Sequence, residues 1–164
     1  MSSTDSIAQD RASKRAFGLR ANSLAAMVML LLEFGLGIWV NLYGHLPASD
    51  QGKSAFTAFA HAVADGPVGL SLHALLGTLL VVTAAGAVVR TMLIGNRPMI
   101  AVAGVALLAI LAAWSSGAKF VGNMSNGPSL TMALATAVAL LCYAVILFVP
   151  VDVLSRHRVK GEVL

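Results

Sequence analysis

The chain has 164 residues, a length that would suit one soluble domain, but its composition argues against that class. Hydrophobic residues make up 58% of it and charged residues 11%, against about 25% charged residues in an ordinary globular domain. The formal net charge of +4 does not indicate a partner nucleic acid, because no motif that interleaves basic and aromatic residues is present. The sequence predicts an integral membrane protein whose main partner is the lipid bilayer.

Four apolar runs are long enough to cross a bilayer. The first, residues 21–43, contains one carboxylate, Glu33, and no Asp, Glu, Lys or Arg interrupts the later runs before Arg90, Lys119 and Asp152. A span needs about 20 apolar residues. The prediction is therefore an all-α, four-transmembrane-helix bundle in a domain of residues 20–153, between flexible basic tails of residues 1–19 and 154–164. Its helices are expected at about 21–43, 67–91, 98–116 and 128–150.

The basic residues give the orientation. Nine of the eleven Lys and Arg residues fall in the two tails or in the turn between the second and third spans; only Lys53 and Lys119 lie on the other side. The positive-inside rule then predicts a multi-pass protein of the plasma (cytoplasmic) membrane with both termini cytoplasmic.

The connection after the first span is long for a helical hairpin, with 24 residues from Gly44 to Pro67. Within it, apolar residues repeat at i, i+3, i+4 and i+7, at Phe56, Phe59, Ala60 and Val63. This pattern predicts a short amphipathic helix at about 54–64, on the outer interface or over the mouth of the bundle.

Glu33 is the first candidate functional residue, because a charge near the bilayer midplane costs about 2.5 kcal/mol or more and needs a partner. It shares a helix face with Gly37, so the carboxyl group is expected to point toward closely packed protein. The functional interpretation is a proton- or cation-coupling site. The alternative is a neutral carboxylic acid that only stabilises the bundle through a hydrogen bond.

Three outer-side histidines, His45, His61 and His73, form a second candidate site. They could converge on haem b or a metal ion, although no close ligand spacing such as H-x₃-H is present. The alternative is a set of solvated or interfacial residues with no cofactor. Counted by helix rise, Glu33 lies about 18 Å deeper than His45, and the prediction is two separate candidate sites.

Small residues at helix-packing spacings suggest close approach of helices, which in lipid depends on van der Waals contact. The candidates are Gly35, Gly37, Gly77, Ala133 and Ala137. Packing within the chain would explain them, and the same surface could support a homo-oligomer or a larger membrane complex.

No catalytic residue is predicted, because the chain has no nucleotide-binding, serine-hydrolase or zinc-protease motif. Three function classes remain, and the sequence favours the first of them. The first is a non-enzymatic accessory or interaction subunit; the second is a small proton-coupled transporter using Glu33; the third is a membrane haem or metal protein using His73 with His45 or His61.

Two resemblances bear on this choice. A glutamate in the first of four helices, Glu33 here, resembles the small multidrug-resistance transporters, although those chains lack a 24-residue outer connection like this one. Most of the chain resembles uncharacterised small four-helix membrane proteins typical of actinobacteria. The residues that carry this resemblance are 41–43 with Pro47, 73–77, and the stretch from Ser129-Leu130 to Cys142-Tyr143. That family implies no activity.

Overall fold

The computed structural model describes residues 3–43, 54–123 and 126–148. Their regular structure is helical throughout. The helices are α1 (Ser3–Tyr43), α2 (Ala55–Ala64), α3 (Val68–Ile94), α4 (Arg97–Asn123) and α5 (Asn126–Phe148).

Four of these helices are long and apolar enough to cross a membrane. The candidate spans are Ser13–Tyr43, Val68–Ile94, Arg97–Phe120 and Asn126–Phe148. Large apolar side chains are exposed along them, as expected where lipid is the solvent, with Leu31, Val82, Leu108 and Leu141 as examples. The architecture fits the predicted multi-pass helical membrane protein.

The four long helices form a closed ring of neighbours. α1 packs against α3, α3 against α4, α4 against α5, and α5 back against α1, while α2 contacts α3 and α4. The tight turn between α3 and α4 enforces their pairing. Gly95 adopts a left-handed conformation (φ 75°) and its N–H donates to the carbonyls of Thr91 and Met92, which ends α3. Asn96 Oδ1 then accepts from the N–H of Met99 at 3.3 Å and caps α4.

α1 begins much earlier than predicted, because the supposed flexible tail is helical from Ser3. Lys14 and Asp10, one helical turn apart, form an ion pair of 2.7 Å. Arg15 donates to the carbonyl oxygen of Leu93 at 3.1 Å, and Leu19 is buried. The polar composition of this segment suggested a tail, but it is continuous with the span as one helix, and from Arg15 onward it contacts the end of α3.

α4 also differs from the prediction, which ended the helix at 116. The helix continues to Asn123 through a segment whose Ser and Gly content suggested a loop. Ser115 Oγ bonds back to the carbonyl oxygen of Ala112 at 3.1 Å, and Ser116 and Ala118 are buried. Contact with neighbouring helices therefore overrides the local preference of these residues.

The short helix predicted at 54–64 is present as α2. Ser54 caps it, because its Oγ accepts from the N–H of Thr57 at 3.2 Å. Its position at a membrane interface stays a prediction, as does the cytoplasmic location of the termini. The predicted C-terminal tail and the last two residues of the predicted fourth helix lie outside the described residues.

The buried core occupies only one half of the bundle. We call this region the closed half; it contains Leu19, Ala26, Leu30, Leu80, Ala84, Ala87, Met99, Ala103, Ala106, Ile110, Ala139, Tyr143 and Ile146. Six of these are alanines, each at most 1% exposed. Small side chains let the helices approach closely here. The other half, toward α2, is built differently and contains the candidate site.

Candidate functional site

Glu33 of α1 and His73 of α3 meet inside the bundle. Nδ1 of His73 lies 3.0 Å from Oε1 of Glu33, and the two side chains are 22% (His73) and 14% (Glu33) exposed. The prediction of separate carboxylate and histidine sites is therefore wrong for His73. The ring of Trp39 packs on Gly69, so the start of α3 lies beside Trp39 and not beside the end of α1 at Tyr43. Along the helix axes, His73 is therefore within one helical turn of Glu33.

Each member of the pair occupies space left by a glycine on the opposite helix. A Cβ placed on Gly37 would lie 3.1 Å from Cε1 of His73. A Cβ placed on Gly77 would lie 3.0 Å from Oε1 of Glu33. Both distances are tighter than ordinary van der Waals contact, so each glycine makes room for one polar side chain. The arrangement is reciprocal, because Glu33 and Gly37 are four residues apart on α1 and His73 and Gly77 are four apart on α3.

The pair leaves polar atoms without hydrogen bonds. The contact between Nδ1 and Oε1 has ion-pair distance but lacks hydrogen-bond alignment, and within the described residues neither Nδ1 of His73 nor Oε2 of Glu33 has a hydrogen-bond partner. A buried polar atom without a partner costs about 1–3 kcal/mol. The pair is therefore not a fully satisfied structural contact, and it can still bind a donor.

Glu33 and His73 line a cavity of about 180 Å³. All five helices contribute to its wall, which lies mostly toward α2 and includes Leu30, Leu80 and Ile110 at the border with the closed half; we call this region the cavity half. Most of the lining is apolar, and four aromatic side chains take part: Phe34, Phe59, Trp114 and Phe120. A cavity of about 150 Å³ accepts benzene, so this one has room for a single ring with a compact substituent.

Trp114 joins three elements at the wall of the cavity. Its Nε1 donates to Oγ1 of Thr78 on α3 at 3.2 Å. Its ring meets Phe59 of α2, with centroids 5.1 Å apart and planes tilted by 59°, an arrangement that aromatic pairs prefer. The amphipathic helix α2 therefore contributes an aromatic side chain to the site.

The other predicted histidines do not join this site in the described part of the chain. His61 is exposed on α2 and does not line the cavity. His45 lies outside the described residues. Those residues hold no group of three or more His, Cys, Asp or Glu side chains that could bind a metal ion, and the pair alone offers two ligands.

The predicted packing residues divide into two groups. Gly37 and Gly77 lie at the contact between α1 and α3, as described. Gly35 does not, because a Cβ there would meet nothing within 4 Å. Ala133 and Ala137 of α5 are both exposed, although Ala133 also lines the cavity.

Sequence reasoning missed the aromatic wall of the site. In the sequence, Trp114 lies near the C-terminal end of the third predicted span, and nothing in the sequence pairs it with Phe59. A usable signal was present for the pair itself. Glu33-x₃-Gly37 and His73-x₃-Gly77 share one spacing in two spans predicted to be antiparallel.

Comparison with known proteins finds no family model, no curated protein and no solved structure that matches the chain. The two resemblances seen in the sequence therefore stay predictions, and the argument for function depends on the site itself.

Proposed function

We propose that this protein is a small proton-coupled transporter whose Glu33–His73 pair binds an organic cation and gives up a proton in exchange. One observation carries the proposal: a buried carboxylate oxygen without a hydrogen-bond partner belongs to a residue that lines a ring-sized cavity. Ionisable groups inside a membrane span are expensive and usually mark substrate or proton pathways.

The exchange balances in charge. Glu33 as a carboxylate and His73 as a neutral imidazole can together take up one proton, which either residue can carry. A bound ammonium group adds one positive charge, and release of one proton to water restores the original charge of the cavity. Among the described residues that line the cavity, no other side chain is charged, so the proposal assigns that proton to the pair.

The wall of the cavity favours a cation over a neutral ligand. Aromatic faces attract ammonium groups, and the attraction is strongest for tryptophan and where water is excluded. Trp114 and Phe59 line the cavity together with Glu33. An amine that carries one N–H could donate to Oε2 of Glu33 while its substituents contact these rings.

The other two function classes are less well supported. An accessory or interaction subunit would need neither the cavity nor a polar pair with unsatisfied atoms. A haem or metal protein would need further ligands beside Glu33 and His73. The proposal keeps the predicted plasma-membrane location and the cytoplasmic termini.

The test measures cation binding and proton release together. Purified protein in a weakly buffered detergent solution is titrated with benzyldimethylammonium, while a pH dye records released protons. We expect about one proton for each cation bound, and a loss of affinity of about tenfold or more (about 1.4 kcal/mol) in Glu33→Gln. Uptake of the cation into proteoliposomes, driven by an outward proton gradient, should fall in the same variant.

Asp65→Asn is the matched control, because Asp65 is an exposed carboxylate that does not line the cavity. It should bind and transport as the wild type does. Saturable binding that is identical in Glu33→Gln and wild type, or binding without proton release, would contradict the proposal.

A further inference from the structure

The cavity is not equally enclosed on all sides. Four of its lining residues are exposed, and all four belong to α1 or α5: Phe34, Ile38, Asn41 and Ala133. Phe34 is 45% exposed and Ile38 is 46% exposed. At these four positions a single layer of side chains separates the cavity from the surface, and we call this side of the cavity the opening.

The opposite wall is closed. None of the residues of α3 and α4 that line the cavity is exposed. On that side α2 packs across α3 and α4, and Phe59 contacts Trp114. α1 and α5, in contrast, make the least extensive contact of the four neighbouring pairs of long helices. The opening of the cavity is therefore lateral, between α1 and α5.

The surface beside this opening is suited to a hydrocarbon chain. Phe34 and Ile38 are apolar, and Ala133 is small enough to leave a gap beside them. Leu31 and Leu134, which flank the opening on its two helices, are 57% and 60% exposed. A chain that left the cavity between Phe34, Ile38 and Ala133 would enter an apolar environment, since the polar Asn41 lies further along α1.

We infer that the cation bound by Glu33 and His73 is an amphiphile: a ring-sized ammonium head in the cavity and an alkyl chain that passes between α1 and α5 into the bilayer. This inference rests on the proposed function and adds the substrate class and the route of entry. The cavity volume limits the head to about one ring with a compact amine, and the lateral opening accommodates the chain.

The experiment compares two radiolabelled probes with the same head. One is benzyldimethylammonium, which has no chain, and the other is benzyl(dodecyl)methylammonium, in which one methyl is replaced by a twelve-carbon chain. Binding is measured at equilibrium with full-length protein in phosphatidylcholine nanodiscs, with each probe's concentration corrected for its partition into empty nanodiscs.

The decisive variant is Ala133→Phe, which places a ring in the opening, and its control is Ala137→Phe, one turn further along the same exposed face of α5 but away from the cavity. Because Ala133 lines the cavity, we expect Ala133→Phe to affect both probes, but to weaken the chain-bearing probe by about tenfold more than the short probe. Ala137→Phe should change neither. Retained binding of the short probe also shows that the variant is folded.

Ile38→Trp blocks the same opening from α1 and must reproduce this selective loss. Equal loss of both probes in both variants, or no loss of either, would overturn the inference, because the chain would then not pass between α1 and α5. Those outcomes leave the proposed function intact if Glu33→Gln still weakens binding of the short probe by about tenfold or more. If the short probe does not bind wild-type protein at all, the proposed function itself fails.

Discussion

The two halves of the bundle use the same four helices for opposite purposes. In the closed half, facing positions carry mostly alanine and branched aliphatic residues, and their buried side chains form one continuous core. In the cavity half, the facing positions carry a carboxylate, an imidazole, glycines and aromatic rings. The difference shows that a small side chain has two uses in such a bundle. Alanine brings two backbones together, whereas Gly37 and Gly77 each receive a polar side chain from the facing helix.

The largest expected effect comes from adding the same volume to each half. Ala106 and Ala113 lie seven residues apart on α4; Ala106 is fully buried in the closed half, while Ala113 lines the cavity. Ala106→Leu should lower the free energy of unfolding by about 1–3 kcal/mol, because a closely packed core has no room for three more carbons. Ala113→Leu should leave stability almost unchanged, since the cavity accepts the added atoms, but should weaken benzyldimethylammonium binding.

Reversible unfolding in mixed micelles measures the stability of both variants. Ala101→Leu, at an exposed position of α4, controls for the helix preference of leucine and should be neutral. Equal destabilisation by Ala106→Leu and Ala113→Leu would show that the two halves are packed alike.

An intermediate effect is expected at the glycines of α1. Gly37→Ala adds a Cβ against Cε1 of His73 and should displace the imidazole, which weakens cation binding by about fivefold, or about 1 kcal/mol. Gly35→Ala adds the same methyl group where nothing lies within 4 Å. It should leave binding unchanged and raise helix stability by about 0.5–1 kcal/mol. Titration of both variants and of wild type with benzyldimethylammonium measures this difference. Equal affinity of Gly37→Ala and Gly35→Ala would show that Gly37 does not constrain the position of the His73 imidazole.

The smallest effects are expected from hydroxyl groups. Ser23 is buried in the closed half, where its Oγ only bonds back to the carbonyl oxygen of Leu19 at 2.9 Å. Ser23→Ala should change the free energy of unfolding by less than about 0.5 kcal/mol, because that carbonyl keeps its helical partner. Thr78→Val removes the acceptor of Trp114 Nε1 and should cost about 1 kcal/mol. Thermal unfolding of the two variants tests this ranking, and a larger loss in Ser23→Ala would reverse it.

Much of the fold follows from the sequence, because a helix that crosses lipid needs a long run of apolar residues. Long runs without Asp, Glu, Lys or Arg predicted the four long helices, and an i, i+3, i+4, i+7 pattern predicted α2. The polar start of α1 and the Ser- and Gly-containing end of α4 were misjudged, since local composition suggested loops and only contacts with other helices hold them as helix. These contacts, such as Arg15 with Leu93 O, cannot be seen in a single stretch of sequence.

The site was predictable in its residues but not in its geometry. Glu33 and His73 are candidates from the sequence alone, because each is an isolated polar side chain in an apolar run. Their contact was missed, since it depends on how far α3 is offset along α1. Trp39 packing on Gly69 sets that offset, and no rule based on helix length predicts it. The lateral opening was equally hidden, because it results from the looser contact between α1 and α5.

The pairing of Glu33 with His73 also has a consequence for how the chain enters the membrane during synthesis. α1 is made first, and until α3 follows, its carboxylate has no imidazole partner. An unaccompanied charge of this kind disfavours insertion of a helix into lipid. We therefore expect α1 to reach its final position only after the ribosome has extended the chain to His73. We expect α1 and α3 to insert as a unit, with α4 and α5 completing the bundle around a hairpin whose alignment is already fixed by two polar side chains and two glycines.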